Sequence, residues 1–272
     1  MNEKSLKFNL KLTVPETEFS IENIDMDFVI KKSFTAESNT AEITIWNLDT
    51  TSFQQLIEQN NIVEFYAGYG EDTPTLIFRG YIKPNKINKG QPQNKVDYAF
   101  KLRLVDGLKA YNTNINKNYR GKVSSTQIIK DCISAMGLGI SLQPETYPVV
   151  YFNGFKAIGR AHVVLEKICN ILNLKFCVQN DLIQIVLPQN INNASDTILL
   201  DKSNCIKLYQ KGKSELIIVT PFLPNLTPND FIECDFNEFK GFAQIKEICH
   251  YGNNFGTACT TEITIGINNN DE

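Results

Sequence analysis

Residues 239–263 read F-K-G-F-A-Q-I-K-E-I-C-H-Y-G-N-N-F-G-T-A-C-T-T-E-I, and they predict two β-strands joined by a short loop. On either side of Y-G-N-N-F-G, apolar residues alternate with polar ones, as they do in a strand that buries one face. Glycine and asparagine tolerate positive φ angles, which hairpin loops need. The segment therefore predicts a hairpin whose loop is centred near Asn254.

The same hairpin sets two cysteines around a histidine, a combination that also occurs in thiol active sites and metal sites. Cys249 and His250 are neighbours in the chain, and neighbouring side chains of a strand point to opposite faces. They are therefore not expected to converge on one substrate or metal. With the loop centred near Asn254, Cys249 and Cys259 are expected about opposite each other, so that an oxidant could link them as an incidental disulfide.

The composition is that of a folded protein kept in a reducing compartment. Hydrophobic residues make up 42% and charged residues 21% of 272 residues, and the formal net charge is −3. This charge disfavours specific nucleic-acid binding, which usually needs a basic excess. Seven cysteines are scattered without a C-x-x-C pair, which favours buried thiols over a disulfide framework. The sequence has no apolar run of membrane-spanning length and no signal-peptide core, which indicates a soluble chain made in the cytosol.

The first hundred residues predict an all-β module. Leu6 to Val14 alternates with period two, and Ala41 to Leu48 repeats the pattern. After it, Asp49 or a neighbouring threonine is a candidate cap of a short helical turn. The runs I-V-E-F-Y-A-G-Y and T-L-I-F-R-G-Y-I predict a hairpin around G-E-D-T-P. A polar loop, K-P-N-K-I-N-K-G-Q-P-Q-N-K, is expected before the next strand.

The pattern changes near residue 120 to that of a small α/β module. Ser124 and Gln127 resemble a capping box, and Gly137 suits a helix C-terminus. A second helix is expected from Ala161 to about Asn173, followed by a hairpin that turns at Gln179-Asn180-Asp181. After a polar linker the chain returns to strands. The expected division is 1–115, 116–195 and 196–272, in an α+β fold that is mainly β.

Two strand groups resemble each other across the chain. Val63-Glu64 is followed by F-R-G-Y (Phe78, Gly80 and Tyr81), and Ile232-Glu233 is followed by F-K-G-F (Gly241 and Phe242). Four similar residues at unequal spacing are weak support for a repeat, but they suggest one β module used twice.

Other candidate catalytic groups favour structural interpretations. His162 is expected at the start of a helix, as a surface or dipole-related residue. Glu64 and Glu233 are candidates for a pair of glycosidase carboxylates, but each lies on the polar side of an amphipathic strand, where a solvated face is expected. H-E-x-x-H, G-x-S-x-G, P-loop and G-x-G-x-x-G motifs are absent from the sequence. We expect no catalytic residue, no cofactor and no metal.

The C-terminal segment resembles the end of phage baseplate hub proteins. That family has a proline-punctuated loop, a G-[FY] turn and an H-x-G-[DN]-x-x-G loop, and the matching residues here are Pro221, Pro224, Pro228, Gly241, Phe242, His250, Gly252 and Gly256. The runs I-T-I-W-N-L, V-E-F-Y-A-G-Y and L-I-F-R-G-Y-I are similar to the family's opening module, and residues 152–178 to its inserted α/β module. The family's usual tryptophan in the last strand is replaced around Ala258 and Cys259.

The resemblance implies two tube-like antiparallel β-barrel modules that flank the small α/β module. It also implies a homotrimer in which six such modules surround a lumen, so that a six-fold tail tube is joined to a three-fold spike. The implied partners are the tail tube protein, the central spike protein and other baseplate proteins. The implied location is the baseplate of a virion tail or injection particle assembled in the bacterial cytoplasm.

Two other interpretations remain open at the level of sequence. One is a tail-tip or tube-initiation subunit with a different symmetry, which a hexamer would support. The other is a cell-wall hydrolase that depends on cysteine or carboxylate groups.

Overall fold

The structure is a computed structural model that describes residues 8–15, 17, 19–57, 62–70, 73–83, 88–92, 97–144, 148–187, 197–256 and 259–267. The strands are β1 Phe8–Val14, β2 Phe19–Glu22, β3 Met26–Ser33, β4 Thr40–Trp46, β5 Ile62–Tyr69, β6 Thr75–Ile82, β7 Asn88–Pro92, β8 Tyr98–Val105, β9 Asn114–Ser124, β10 Gly139–Leu142, β11 Tyr151–Arg160, β12 Lys175–Gln179, β13 Leu182–Val186, β14 Ile198–Asp201, β15 Lys207–Lys211, β16 Glu215–Pro221, β17 Phe231–Asp235, β18 Lys240–Asn253 and β19 Thr260–Gly266. The helices are α1 Thr50–Ile57, α2 Leu108–Tyr111, α3 Ser125–Met136 and α4 Ala161–Ile171.

The chain divides into two compact units. Unit 1 consists of residues 1–33, 39–105 and 194–272, and unit 2 of residues 34–38 and 106–193. Both ends of the chain thus contribute to one unit, while the central segment forms the other.

Unit 1 is built on one large sheet, to which strands from both ends of the chain contribute. Its order is β15-β16-β19-β18-β3-β4-β8-β6-β5-β1-β2, with β14, β17 and β7 attached to the side. The path runs between two free edges, so the described strands form no closed barrel. The two expected barrels are not separate here because β3, from the N-terminal end, pairs with β18, from the C-terminal end, over Asp27–Ser33.

The same strand order occurs twice within this sheet. The first set is β3-β4-β8-β6-β5, and its middle strand, β8, is the last of the five in sequence. The second set is β15-β16-β19-β18-β17, and its middle strand, β19, is likewise the last of the five in sequence. All pairs inside both sets are antiparallel. The strand added after each set differs, since β1 pairs antiparallel with β5 whereas β14 pairs parallel with β17.

The alternation of β1 in the sequence explains which face of this strand is buried. In β1 every second residue is buried and the residues between are half-exposed, as the period of two predicts. The buried faces of the N-terminal strands form a core rich in phenylalanine, which also takes in Phe222 and Cys259 from the C-terminal end. A second core lies under the strands of the C-terminal set, around Phe236 and Ile263.

Unit 2 combines a two-stranded ribbon, β9 with β11, a three-stranded sheet and the helices α2, α3 and α4. The predicted cap of α3 is confirmed: the Ser124 hydroxyl accepts from the Gln127 backbone N–H at 3.2 Å, and Gly137 ends the helix with φ 68°. The predicted hairpin of β12 and β13 is confirmed too. Asn180 and Asp181 both have positive φ, 54° and 62°, as in a type I′ turn.

That turn is held by a buried carboxylate that the sequence pattern did not single out. Asp106 is fully buried, and its two oxygens accept from the backbone N–H groups of Asn180 at 2.7 Å and Asp181 at 2.8 Å. The Asp181 carboxylate accepts in turn from the Gly107 backbone N–H at 3.0 Å. Three hydrogen bonds therefore fix the hairpin to the start of the segment 106–193, and each satisfies a backbone N–H group that would otherwise be left unpaired.

Several predicted elements of unit 1 can be compared with the structure. The hairpin of β5 and β6 is confirmed, and the Asp49 carboxylate caps α1 by accepting from the Ser52 N–H at 2.9 Å. The polar loop expected after residue 82 is partly wrong, because β7 pairs with β8 there. Leu6, the expected first residue of the first strand, lies outside the described residues.

Candidate functional site

The hairpin of β18 and β19 has a different register from the predicted one. Cys249 lies opposite Glu262, His250 opposite Thr261 and Tyr251 opposite Thr260. The loop is therefore centred beyond Asn254, and the expected Cys249–Cys259 pairing is wrong. All seven cysteines are free thiols. Cys259 is buried against the aromatic core of the N-terminal strands, whereas Cys249 lies half-buried in the middle of the sheet.

His250 is a fully buried structural residue. Its Nδ1 lies 3.0 Å from the Thr261 hydroxyl, and that hydroxyl accepts from the Leu223 backbone N–H at 2.9 Å. The ring meets Phe222 edge-on, with centroids 5.5 Å apart. Burial, reinforced by Lys32, lowers the pKa of His250 to about 3, so the ring is neutral at neutral pH. His250 thus ties the hairpin to the proline-punctuated loop.

The Cys249-His250 pair does not form a thiol active site. The strand places Cys249 half-buried on one face and His250 buried on the other, as predicted. Burial raises the pKa of the Cys249 thiol to about 11, whereas a reactive cysteine needs its pKa lowered toward neutrality. The neutral buried ring and the protonated thiol are therefore not arranged as a base and its nucleophile.

The loop after β18 bonds to the N-terminal end of the chain through Asn254. The side-chain oxygen of Asn254 accepts from the Met26 N–H at 2.8 Å, and its amide nitrogen donates to the Ile24 carbonyl at 2.8 Å. The Asn254 backbone N–H also donates to the Met26 carbonyl at 3.3 Å. No local sequence pattern indicates this contact, because its partners lie more than two hundred residues away in the chain.

Close approach requires a glycine at position 252 of the H-x-G-N-x-x-G loop. A Cβ atom on Gly252 would lie 2.6 Å from the Cα of Cys259, and a Cβ atom on Gly256 would lie 3.0 Å from the Asn253 side-chain oxygen. The first distance is too short for any side chain to be accommodated without moving backbone. Gly252 thus lets Cys259 approach the sheet closely enough to reach the core.

The two F-[KR]-G-[FY] motifs lie on corresponding strands but in different surroundings. Phe78 and Tyr81, on β6, are buried, and a Cβ atom on Gly80 would lie 2.8 Å from the Val105 carbonyl oxygen. On β18, Gly241 has φ 121° and open space around it, and Phe242 is 54% exposed. The first motif is part of the core, whereas the second presents an aromatic side chain to the surface.

The carboxylates considered for glycosidase chemistry have different environments. The Glu64 side chain is only 12% exposed, since it pairs with Arg79 and accepts from the Tyr66 hydroxyl at 2.7 Å. The expectation of a solvated Glu64 is therefore wrong, because cross-strand partners surround it. Glu233 is exposed on β17, as expected.

His162 lies in the first turn of α4, as predicted, and its ring meets Tyr111 edge-on at 4.9 Å. Burial, with Arg160 nearby, lowers its pKa. Within the described ranges, no three His, Cys, Asp or Glu side chains gather as a metal site, and none of the helices there has the length and apolar character to cross a membrane.

Comparison with known proteins identifies the fold. No protein-family model and no curated protein matches the chain. Among solved structures, the 43 kDa tail protein of prophage MuSo2 from Shewanella oneidensis is similar with a TM-score of 0.69 at 8% identity, over 94% of this chain and 98% of that one. A tail protein from Neisseria meningitidis MC58 is similar with a TM-score of 0.70 at 10% identity, over 96% and 97%.

A third similar structure comes from a secretion machine. The E. coli c3393 protein, described as a component of the type VI secretion system with structural similarity to the T4 bacteriophage tail proteins gp27 and gp5, has a TM-score of 0.61 at 10% identity, over 95% of this chain and 77% of that one. At these identities the likeness establishes the fold. The predicted resemblance to phage tail and baseplate proteins is confirmed at that level.

Proposed function

We propose that this protein is a structural hub of a phage-type tail, joining the tail tube to the central spike as a homotrimer. The fold shared with two phage tail proteins and a type VI secretion component supports a structural role in a tail. The observation that carries the finer assignment is the five-strand order that occurs twice in unit 1.

In this proposal each five-strand set is one tube-like module. Three copies of a chain with two sets supply six modules, and six modules arranged around an axis match a six-fold tube while the chains themselves keep three-fold symmetry. Within one chain the described sheet ends in free edges at β2 and β15. Such edges are prone to pairing with other chains, and ring closure by neighbouring subunits would pair them.

The partners follow from this position in the particle. They are the tail tube protein above, the central spike protein below and other baseplate proteins around the ring. The location is the baseplate of a virion tail or an injection particle, assembled in the bacterial cytoplasm. In this proposal the role of the motif residues is structural and not catalytic. They are the residues of the two F-[KR]-G-[FY] motifs and of the loop with His250, Gly252 and Gly256.

The absence of catalysis is part of the proposal. It is supported by the burial of His250, by the raised pKa of Cys249 and by the engagement of Glu64 in an ion pair. As a direct check, Cys249→Ser combined with His250→Gln should leave assembly with partner proteins intact. If cell-wall hydrolysis were detected in the wild type and lost in this variant, the protein would be a hydrolase instead.

The oligomeric state tests the proposed function. Sedimentation velocity of the purified chain over a range of concentrations should show association to a trimer. A stable monomer at high concentration would contradict the proposal. A hexamer would favour a tube-initiation or tail-tip subunit.

A further inference from the structure

The ribbon of β9 and β11 in unit 2 differs in charge from the chain as a whole. β9 and β11 together contain five basic residues and no acidic one, in a chain whose net charge is −3. One of the five, Lys117, faces α3 and pairs with Asp131 at 2.8 Å. The others, Arg120, Lys122, Lys156 and Arg160, are exposed, and no ion pair joins them to any described residue.

The register of the ribbon places several of these residues on one surface. Lys156 lies opposite Asn118 and Arg160 opposite Asn114, so the cations face neutral amides across the ribbon. Ile158, between them on the same face, is 60% exposed. The Lys122 ammonium lies 4.3 Å above the ring of Tyr151, which is 59% exposed. We call Lys122, Tyr151, Lys156, Ile158 and Arg160 the basic ribbon face.

Unit 1 presents a surface of opposite character. On adjacent strands β14, β17 and β18, Leu199, Glu233 and Phe242 lie opposite one another in register, and all three side chains point outward. Leu199 is 45% and Phe242 54% exposed. Residues 231–239 contain the acidic Glu233, Asp235 and Glu238 and no basic residue.

Only one of these three carboxylates has an ion-pair partner among the described residues: Asp235 pairs with Lys240 at 2.7 Å. Glu233 and Glu238 are exposed without one. We call Leu199, Glu233, Glu238 and Phe242 the acidic strip.

Resting on the proposed function, we infer that the basic ribbon face of one subunit docks on the acidic strip of a second copy of this chain. Both surfaces combine unpaired charge with exposed large apolar residues, and the signs of their charges are opposite. Interfaces bury aromatic and aliphatic side chains at their centre with charges around them, and opposite charges set partner choice and speed of encounter.

A nucleic-acid partner explains this combination less well. A phosphate backbone would satisfy Lys156 and Arg160, but it would gain little from Ile158 or from the aliphatic and aromatic residues of the acidic strip. Because the two surfaces are different, the contact is heterologous, and heterologous contacts close into rings when the rotation between subunits permits. A ring of three copies would use the contact three times.

The test reverses charge on one surface and then on both. Lys156→Glu with Arg160→Glu should weaken self-association, measured by sedimentation velocity, by at least about tenfold. The control variant, Lys130→Glu with Lys175→Glu, makes the same charge change on exposed lysines of unit 2 that lie outside the ribbon face. It should associate like the wild type. Circular dichroism and thermal melting of each variant separate loss of folding from loss of contact.

The decisive experiment restores opposite charges at the proposed contact. When Glu233→Lys and Glu238→Lys are added to the ribbon variant in the same chain, the signs at the contact become opposite again, and association should return to within about threefold of the wild type. Unchanged association of the ribbon variant, or no recovery in the combined variant, would overturn the inference while leaving the trimer proposal standing.

Two further outcomes are informative. If the wild-type chain did not associate at all, both the inference and the proposed function would fail. If the ribbon variant associated normally but lost binding to a short DNA duplex that the wild type bound, the ribbon face would be a nucleic-acid surface and the inference would be wrong.

Discussion

The two five-strand sets of unit 1 share an order of strands and differ in what those strands carry. In the N-terminal set the fourth strand, β6, has eight residues and buries the Phe78 and Tyr81 side chains of its motif. In the C-terminal set the corresponding strand, β18, has fourteen residues; its first part pairs with β17 and its second with β19 and β3. The shared feature is thus the topology, while the similar sequence motif has been put to different uses.

The difference shows what each set contributes. The N-terminal set and β1 together contain the aromatic core, into which the other end of the chain inserts Phe222. Tyr69 donates to the Phe222 carbonyl at 2.8 Å, and the Phe8 and Phe28 rings lie 6.1 Å from its ring. The C-terminal set contains the connecting elements, among them the His250 contact and the Asn254 bonds. An exposed Phe242 in the second motif leaves an apolar side chain available to another protein.

The largest expected effect separates the two motifs directly. Phe78→Ala removes a fully buried ring and should lower the free energy of unfolding by about 3–5 kcal/mol. Phe242→Ala removes an exposed ring and should change the stability of the monomer by less than about 0.5 kcal/mol. Urea denaturation of both variants measures this. Equal losses would show that the second motif is also part of the core.

The second prediction concerns the loss of stability at acidic pH. The folded-state pKa of His250, about 3, lies below its ordinary value of 6.5, so between these values the unfolded chain binds a proton that the folded chain does not. The neutral His250 ring therefore costs the folded state no stability above pH 6.5, and stability is lost as the pH falls from 6.5 toward 3. The free energy of unfolding should therefore fall by about 1.4 kcal/mol per pH unit in this range from this group alone.

His250→Gln should remove that part of the pH dependence, as measured by urea denaturation at pH 6.5 and pH 4.5. His162→Gln is the matched control. The pKa of His162 is also lowered, but its ring is less buried, so this variant should remove a smaller part. A His250→Gln variant with the wild-type slope would show that His250 is protonated in the folded state.

The third prediction concerns the close approaches in each set. A Cβ atom on Gly80 would lie 2.8 Å from the Val105 carbonyl oxygen, and one on Gly252 would lie 2.6 Å from the Cys259 Cα atom. Each substitution by alanine should cost about 1–3 kcal/mol. Gly139→Ala is the control, since its added methyl would meet only the end of the Leu182 side chain, and melting temperatures compare all three. If Gly252→Ala did not lower the melting temperature, Cys259 would not lie as close to residue 252 as the structure places it.

The smallest effect tests the bond between the ends of the chain. Asn254→Ala removes both side-chain hydrogen bonds to Ile24 and Met26 and should cost about 1–2 kcal/mol. Faster hydrogen exchange at the Met26 amide would localise the loss. In the control Asn253→Ala, the side chain removed accepts a local bond from the Phe255 N–H and no other among the described residues, so that the Met26 amide should stay protected. Unchanged exchange in Asn254→Ala would place the protection of Met26 elsewhere.

Local patterns predicted much of the fold, because a strand or helix that buries one face shows its period in the sequence. The alternation of β1, the caps of α1 and α3 and the Asn180-Asp181 turn all depend on residues within a few positions of one another. The ribbon of β9 and β11 was harder to predict, since few of its residues are buried and it shows little alternation of apolar residues.

Long-range pairing could not be predicted from these patterns. The β3–β18 contact joins the ends of the chain, and the sequence of neither strand indicates which strand it pairs with. The hairpin register was wrong for a related reason: glycine and asparagine mark a loop but not its centre, which is set by the fit of Cys259 into the core and of His250 against Thr261. Which cations lack partners on the ribbon also depends on register, so it became visible only in the structure.

Imaging the assembled chain by electron cryomicroscopy tests the central claim most directly. The account predicts three copies around an open channel, lined by six sets of strands that follow the orders β3-β4-β8-β6-β5 and β15-β16-β19-β18-β17. Subunits packed without a channel, or sets whose positions around the axis are not equivalent, would contradict it.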